Sequence, residues 1–147
     1  MCWDFFMENH LYRMNLAEGL IALQGFAEQN HWRIEWDLEK LLLADERVVL
    51  VTDPAQIIRF ATPNMTAMNG YLVDEVLGKR PSMFQGEGTD PETRKQIREA
   101  IVRRLPFKGS LVNYRKEGVP YHCLVEEYPV WNKGGQLVHF IAFEKIA

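Results

Sequence analysis

Apolar positions recur along this chain with two periods. In the first third the period is helical. Leu16, Leu20, Leu23 and Ala27 stand at i, i+4, i+7 and i+11 and predict a helix with one apolar stripe. Asn15, just before the stripe, offers an N-cap, with Glu18 three residues on as in a capping box. Gly19 and Gly25 weaken that helix. Trp32, Ile34, Trp36 and Leu38 alternate as a strand would. Leu41 and Leu42 nevertheless continue an i,i+4 face, so Trp36 to Ala44 is predicted as helix.

From Arg47 the period changes. Val48 to Val51 is a β run closed by Asp53-Pro54, and Ile57 to Ala61 is a second strand stopped by Pro63. The two form a tight hairpin. Asn64 to Asn69 and Val73 to Leu77 read as short helices, each ended by a glycine, Gly70 and Gly78. Gly86 to Gly88 reads as a loop. Asp90, Pro91 and Glu92 form a helix start, with Asp90 as cap. That helix runs to about Arg104, burying Ile97, Ala100 and Ile101 and exposing Arg94, Lys95, Arg98 and Glu99. Three strands follow, Phe107 to Tyr114, Tyr121 to Val130 and Leu137 to Phe143, joined by turns at Lys116 to Gly118 and Asn132 to Gly135. The order β-β-α-α-α-β-β-β predicts an α+β fold, one antiparallel sheet with short helices on one face and a helical extension before it. The space between sheet and helices is a natural small-ligand cavity.

Composition narrows the classes. The chain has 147 residues, 47% hydrophobic and 25% charged, with a net charge of -3. That is the ordinary globular mix, and it excludes a disordered tail. The acidic balance argues against general nucleic-acid affinity. No apolar run reaches the roughly 18 residues of a membrane span. The start lacks a basic region before its apolar stretch, so no secretory signal is expected. Cys2 and Cys123 are the only cysteines, which removes a disulfide framework and a four-thiolate zinc site and makes a reducing cytoplasm the expected location.

Order and motifs together resemble the PAS superfamily, and within it the flavin-binding LOV branch. The residues that carry the resemblance are Val51 to Pro54, Asn69 to Tyr71, Glu75 to Gly78, Met83 to Gly86, Thr89-Asp90, Ile97 to Ile101, Val112 to Tyr114, Lys116 to Gly118 and Phe140 to Glu144. The match runs from about residue 46 to 145. It implies a PAS domain over 46–147 and an N-terminal extension, 1–45, for dimerisation or coupling. A LOV domain signals by bonding a cysteine thiol to the flavin, in a motif of the form Gly-x-Asn-Cys-Arg-Phe-Leu-Gln. Here the stretch from Gly78 to Gln85 places Pro81 at the nucleophile position, with no thiol to give. The adduct cannot form there.

The resemblance also assigns contacts to a flavin. Gln85 ends the motif, Arg98 would face the phosphate, and Asn113 would meet the polar edge of the ring. The second ring asparagine is Cys123, and the glutamine of the last strand is Glu144. Arg80 stands for the motif asparagine, where it could replace phosphate-binding charge. Cys123 is a poor substitute for an amide. An ionised Glu144 would set acceptor against acceptor unless it were protonated or turned away. The ring-recognising set is half dismantled, and the balance is against flavin. Each residue also has a plainer reading: Gln85 bonding backbone, Arg98 a solvated cation, Asn113 an edge polar group, Cys123 a small core residue, Glu144 an exposed partner of Lys145.

No histidine lies between Gln85 and Lys108, which argues against haem, and His122 with His139 makes a poor metal signal. His122 and Cys123 are strand neighbours pointing to opposite faces, so they form no dyad. A catalytic reading would need Glu144 or Glu126 as general base. The expectation is a non-catalytic sensor or signalling module acting through protein contacts, as a homodimer through the N-terminal helices or with a signalling kinase or regulator. A flavin (FMN or FAD) photo- or redox sensor working without the adduct is the alternative. Because the chain stops soon after the last strand, coupling is expected through residues 1–45, or the chain is a piece of a larger regulator.

Overall fold

A computed structural model describes residues 2–147. Five strands form one antiparallel sheet in the order β2-β1-β5-β4-β3, with β1 Val48–Thr52, β2 Ile58–Ala61, β3 Phe107–Tyr114, β4 Pro120–Trp131 and β5 Leu137–Ile146. Each strand falls on the apolar run that announces it. The β1–β2 hairpin turns on Asp53, whose Oδ1 accepts from the backbone of Ala55 and Ile57. Between β2 and β3 lie α2 (Met65–Asn69), α3 (Val73–Val76), a 3₁₀ turn at Pro81–Phe84 and α4 (Pro91–Arg103). Gly70 closes α2 in the left-handed region at φ 82°, and Asp90 caps α4 by accepting from Glu92 N.

The N-terminal third departs from its expected outline. A single helix, α1, runs from Cys2 to Gln29, so Asn15 lies in mid-helix and caps nothing. The physical reason is cooperativity. Residues 2–14 contain no Pro or Gly, and extending an existing helix is favoured over nucleating a new one at a polar residue. The predicted helix from Trp36 to Ala44 starts later and is wound differently. Trp36 and Asp37 lie outside it, and Lys40–Ala44 form a π-helical turn. The alternation at Trp32 is partly real: Trp32 bridges Asn132, and Arg33 N donates to Trp131 O at 2.8 Å.

Both faces of the sheet are covered. On one, Leu20, Leu23 and Ala27 of α1 join Trp32, Leu38 and Leu42 against Val49, Val51, Val130, Ile141 and Phe143. On the other, Val48, Leu50 and Ile58 pack against Met65, Met68, Val76 and Phe84 from the short helices. All five residues of β1 are therefore buried. Residues between Leu20 and Leu42 thus share one core with the sheet. No described helix is long and apolar enough to cross a membrane.

Helix α1 has a second apolar stripe. Trp3, Met7, Leu11, Met14 and Ile21 are exposed, Trp3 at 71% and Ile21 at 69%. At about 100° per residue they fall on the side opposite Leu16, Leu20, Leu23 and Ala27. Helix α4 is the reverse case. It buries none of its residues fully, and Ile97, Ala100 and Ile101 are only half-buried. It lies over the sheet without sealing it.

Candidate functional site

The gap beneath α4 is where polar chemistry collects. Alternate residues of a strand share a face. Phe140, Ala142 and Glu144 of β5, Val125 and Glu127 of β4, and Leu111 and Asn113 of β3 therefore line one cavity. Pro81, Phe84, Gln85 and Ile97 roof it, and Leu50 and Thr52 close its β1 side. Its volume is about 70 Å³. The ladder sets Val125 opposite Glu144, Cys123 opposite Leu111 and Ile146, and Asn113 opposite Tyr121. Glu144, Cys123 and Asn113 thus fall on a diagonal across three strands. Glu127, opposite Ala142, flanks Glu144 on the other side.

The row is electrostatically unusual. Burial pushes the Glu144 carboxyl up to about 7 even though the Cys123 thiol, donating to its Oε1 at 3.4 Å, favours the charged form. Burial and the charge of Glu144 push Glu127 to about 7 as well. Burial, then Glu144, hold the Cys123 thiol well above its ordinary range, so it is no nucleophile. Asn113 is 5% exposed and its Oδ1 has no hydrogen-bond partner; nor does the buried Thr52 Oγ1.

Of the six residues that the resemblance points to, the structure gathers four. Gln85, Asn113 and Glu144 line the cavity, and fully buried Cys123 stands between the last two. Arg80 and Arg98 are exposed and outside the lining. Arg98 lies on the outer side of α4 beside Lys95, Glu99 and Arg103. The plainer reading of Glu144 as an exposed partner of Lys145 does not hold, because Glu144 is 5% exposed.

The arginine that α4 turns inward is Arg94, expected at the surface. It is half-buried, and its Nη2 donates to Gly86 O at 2.9 Å. This fixes the loop from Gly86 to Thr89. Gly88 N donates to Tyr114 Oη at 2.7 Å, and Thr89 Oγ1 donates to Val112 O at 2.6 Å. A side chain at Gly86 would place its Cβ 2.5 Å from the Tyr114 ring, so glycine is required by close approach.

Two polar lining residues escaped sequence reasoning. Glu127 was visible in the alternation Cys123, Val125, Glu127. Its neighbour Glu126, weighed as a base, sits one register step away and does not line the cavity. Thr52 follows from the same rule on β1. His139 is structural: Trp32 Nε1 donates to its Nδ1 at 3.0 Å, and burial lowers its pKa. His139 pairs with Val130 and His122 with Val112, at opposite ends of β4. Among the described residues, no three His, Cys, Asp or Glu side chains gather where they could hold a metal ion.

A PAS-domain family model matches residues 46–145, the whole of the sheet and its short helices, and the chain belongs to that family. Phototropin-1A of rice (Oryza sativa subsp. japonica) is 30% identical over 115 residues, 76% of this chain and 12% of that protein. A blue-light-activated histidine kinase of Brucella canis is 32% identical over 109 residues, 74% of this chain and 21% of the kinase. The chain therefore spans about an eighth to a fifth of the length of these relatives. Among solved structures, the light state of the Aureochrome1 LOV domain superposes with a TM-score of 0.65 at 25% identity, covering 68% of this chain and 80% of that one. The LOV domain of the Erythrobacter litoralis EL346 blue-light-activated histidine kinase shares the fold, with a TM-score of 0.64 at 20% identity over 68% of this chain and 94% of that one.

Proposed function

We propose that this PAS domain is a non-catalytic sensor or signalling module that works through protein contacts and without cysteinyl-flavin chemistry. The observation that carries the reading is the alternation of β5. Phe140, Ala142 and Glu144 line the cavity, while Ile141 and Phe143 between them pack in the core that holds α1. A change at the cavity wall reaches α1 through one strand, because a close-packed interior transmits displacement. The outer stripe of α1 supplies the output surface, a homodimer contact or a dock for a kinase or regulator.

The cavity lining does not fit a flavin. Its roughly 70 Å³ is well below the roughly 300–1,000 Å³ of small-molecule pockets. Pro81 stands in the roof where the adduct needs a thiol. Two of the places where the resemblance expects amides hold Glu144, which accepts when ionised, and Cys123, a weak donor already turned to Glu144 Oε1, where the carbonyls of a flavin ring need donors. A flavin sensor without the adduct is the second reading, favoured by Gln85 and Asn113 facing one cavity, and it requires the cavity to enlarge several-fold.

Light scattering on the full chain tests the output. A dimer that becomes monomeric when Trp3, Met7 and Met14 are changed to Glu is the expected result. A monomer whose mass is the same with and without these changes counts against it. These surface changes replace deletion of residues 1–45, which would strip Leu20, Leu23, Trp32 and Leu42 from the core. Absorbance tests the ligand side: protein that stays colourless after refolding with FMN or FAD supports the reading.

A further inference from the structure

The cavity beneath α4 holds hydrogen-bond acceptors with no cation to answer them. Glu144 is 5% exposed, and its described hydrogen bond comes from a thiol, a weak donor. Glu127 flanks it, and the buried Asn113 presents an unpartnered Oδ1. The remaining wall is largely apolar, and no Lys, Arg or His lines it. The arginine on the roofing helix, Arg94, lies outside the lining: its Nη2 donates to Gly86 O, and its buried Nε has no partner. Two carboxyl groups and an amide oxygen set in hydrocarbon are the complement of a molecule with N–H donors, one positive charge and a short apolar body. An unpaired buried carboxylate is costly, whereas one hydrogen-bonded to an ammonium or amidinium is not.

We propose that this cavity binds a small organic cation, an alkylammonium or amidinium of a few heavy atoms. Glu144 and Glu127 take its charge, and Asn113 Oδ1 accepts one of its hydrogens. The volume admits no nucleotide or peptide. The inference rests on the reading that this is not a flavin pocket and adds the class of ligand.

The test is titration of the full chain with ethylammonium chloride and with acetamidinium chloride, followed by amide NMR. Sodium chloride at equal ionic strength is the blank, and ethanol and acetamide are the neutral analogues. Saturable millimolar shifts are expected at the Asn113 side-chain amide and the backbone of Val125 and Ala142. The neutral analogues should bind at least about ten-fold more weakly, and Glu144→Gln and Glu127→Gln should each weaken the cations by a similar factor. Equal shifts from charged and neutral probes in the unaltered chain overturn the proposal, whatever the variants do. So does the lack of any saturable shift. If the α1 dimer persists in that case, only the ligand class falls. If the protein turns yellow with FMN and no cation displaces it, the non-flavin reading falls as well.

Discussion

The two faces of the sheet are built to different standards. The face under α1 is close-packed: Leu23, Val49, Val51, Val130, Ile141 and Phe143 are all fully buried, and Trp32 donates to His139 there. The face under α4 is loose. Its helix buries no residue fully, and the wall below carries two carboxyl groups with raised pKa values and two orphaned oxygens. Stability is concentrated where packing is apolar, and the polar mismatch collects where a ligand has room to enter. That division is common in ligand-binding folds, where the site gives up some stability that the rest of the core supplies.

Breaking the close-packed face should do the most damage. Phe143→Ala removes a fully buried ring packed beside Trp36 and Tyr128, and is expected to destabilise the fold by about 3–5 kcal/mol in denaturant unfolding. A loss below about 1 kcal/mol would mean that α1 does not hold this face as described.

The open face is probed by pH. The Glu144 carboxyl rises from 4.5 in the unfolded chain to about 7 in the fold, so the folded state holds its proton more tightly. Its contribution is complete below about pH 4.5 and is lost as pH rises through about 7, to the extent of about 3 kcal/mol. Glu127 acts in the same direction over the same window. Unfolding curves between pH 4.5 and 7 should show this decline, and Glu144→Gln should flatten it. A flat profile in the unaltered chain would show that Glu144 is solvated.

Smaller changes sharpen the contrast. Gly86→Ala drives a methyl group into the Tyr114 ring and should cost about 1–3 kcal/mol, because the loop is held to Tyr114 and Val112 by short hydrogen bonds. Asp90→Ala removes the cap of α4 and should cost about 1 kcal/mol. Hydrogen exchange should show that loss confined to α4, with the amides of β5 unchanged. Equal acceleration across β5 would mean that the two faces are not separable.

Much of the fold was legible because its signals are local. Asp90-Pro91 starts α4, Gly70 ends α2, and the apolar runs of β1 and β3 to β5 are each bounded by turn chemistry within a few residues. The diagonal of Asn113, Cys123 and Glu144 was legible as a resemblance. The π-helical turn at Lys40–Ala44 was not, nor was the continuity of α1 through Asn15, since neither has a distinctive local pattern. The inward turn of Arg94 was missed because an amphipathic helix shows from sequence only which side is apolar, not how closely it will dock.

By itself, then, the sequence determined the elements, their order and the presence of Pro81 where the resemblance expects a thiol. These depend on short-range sterics, periodicity and residue identity. Only the tertiary structure decided that β5 serves the cavity with one face and α1 with the other, that Glu127 rather than Glu126 stands beside Glu144, and that Glu144 is buried in a lining with no Lys, Arg or His. Register, burial and the field of one charge on another arise only when distant segments meet, and no local pattern carries them.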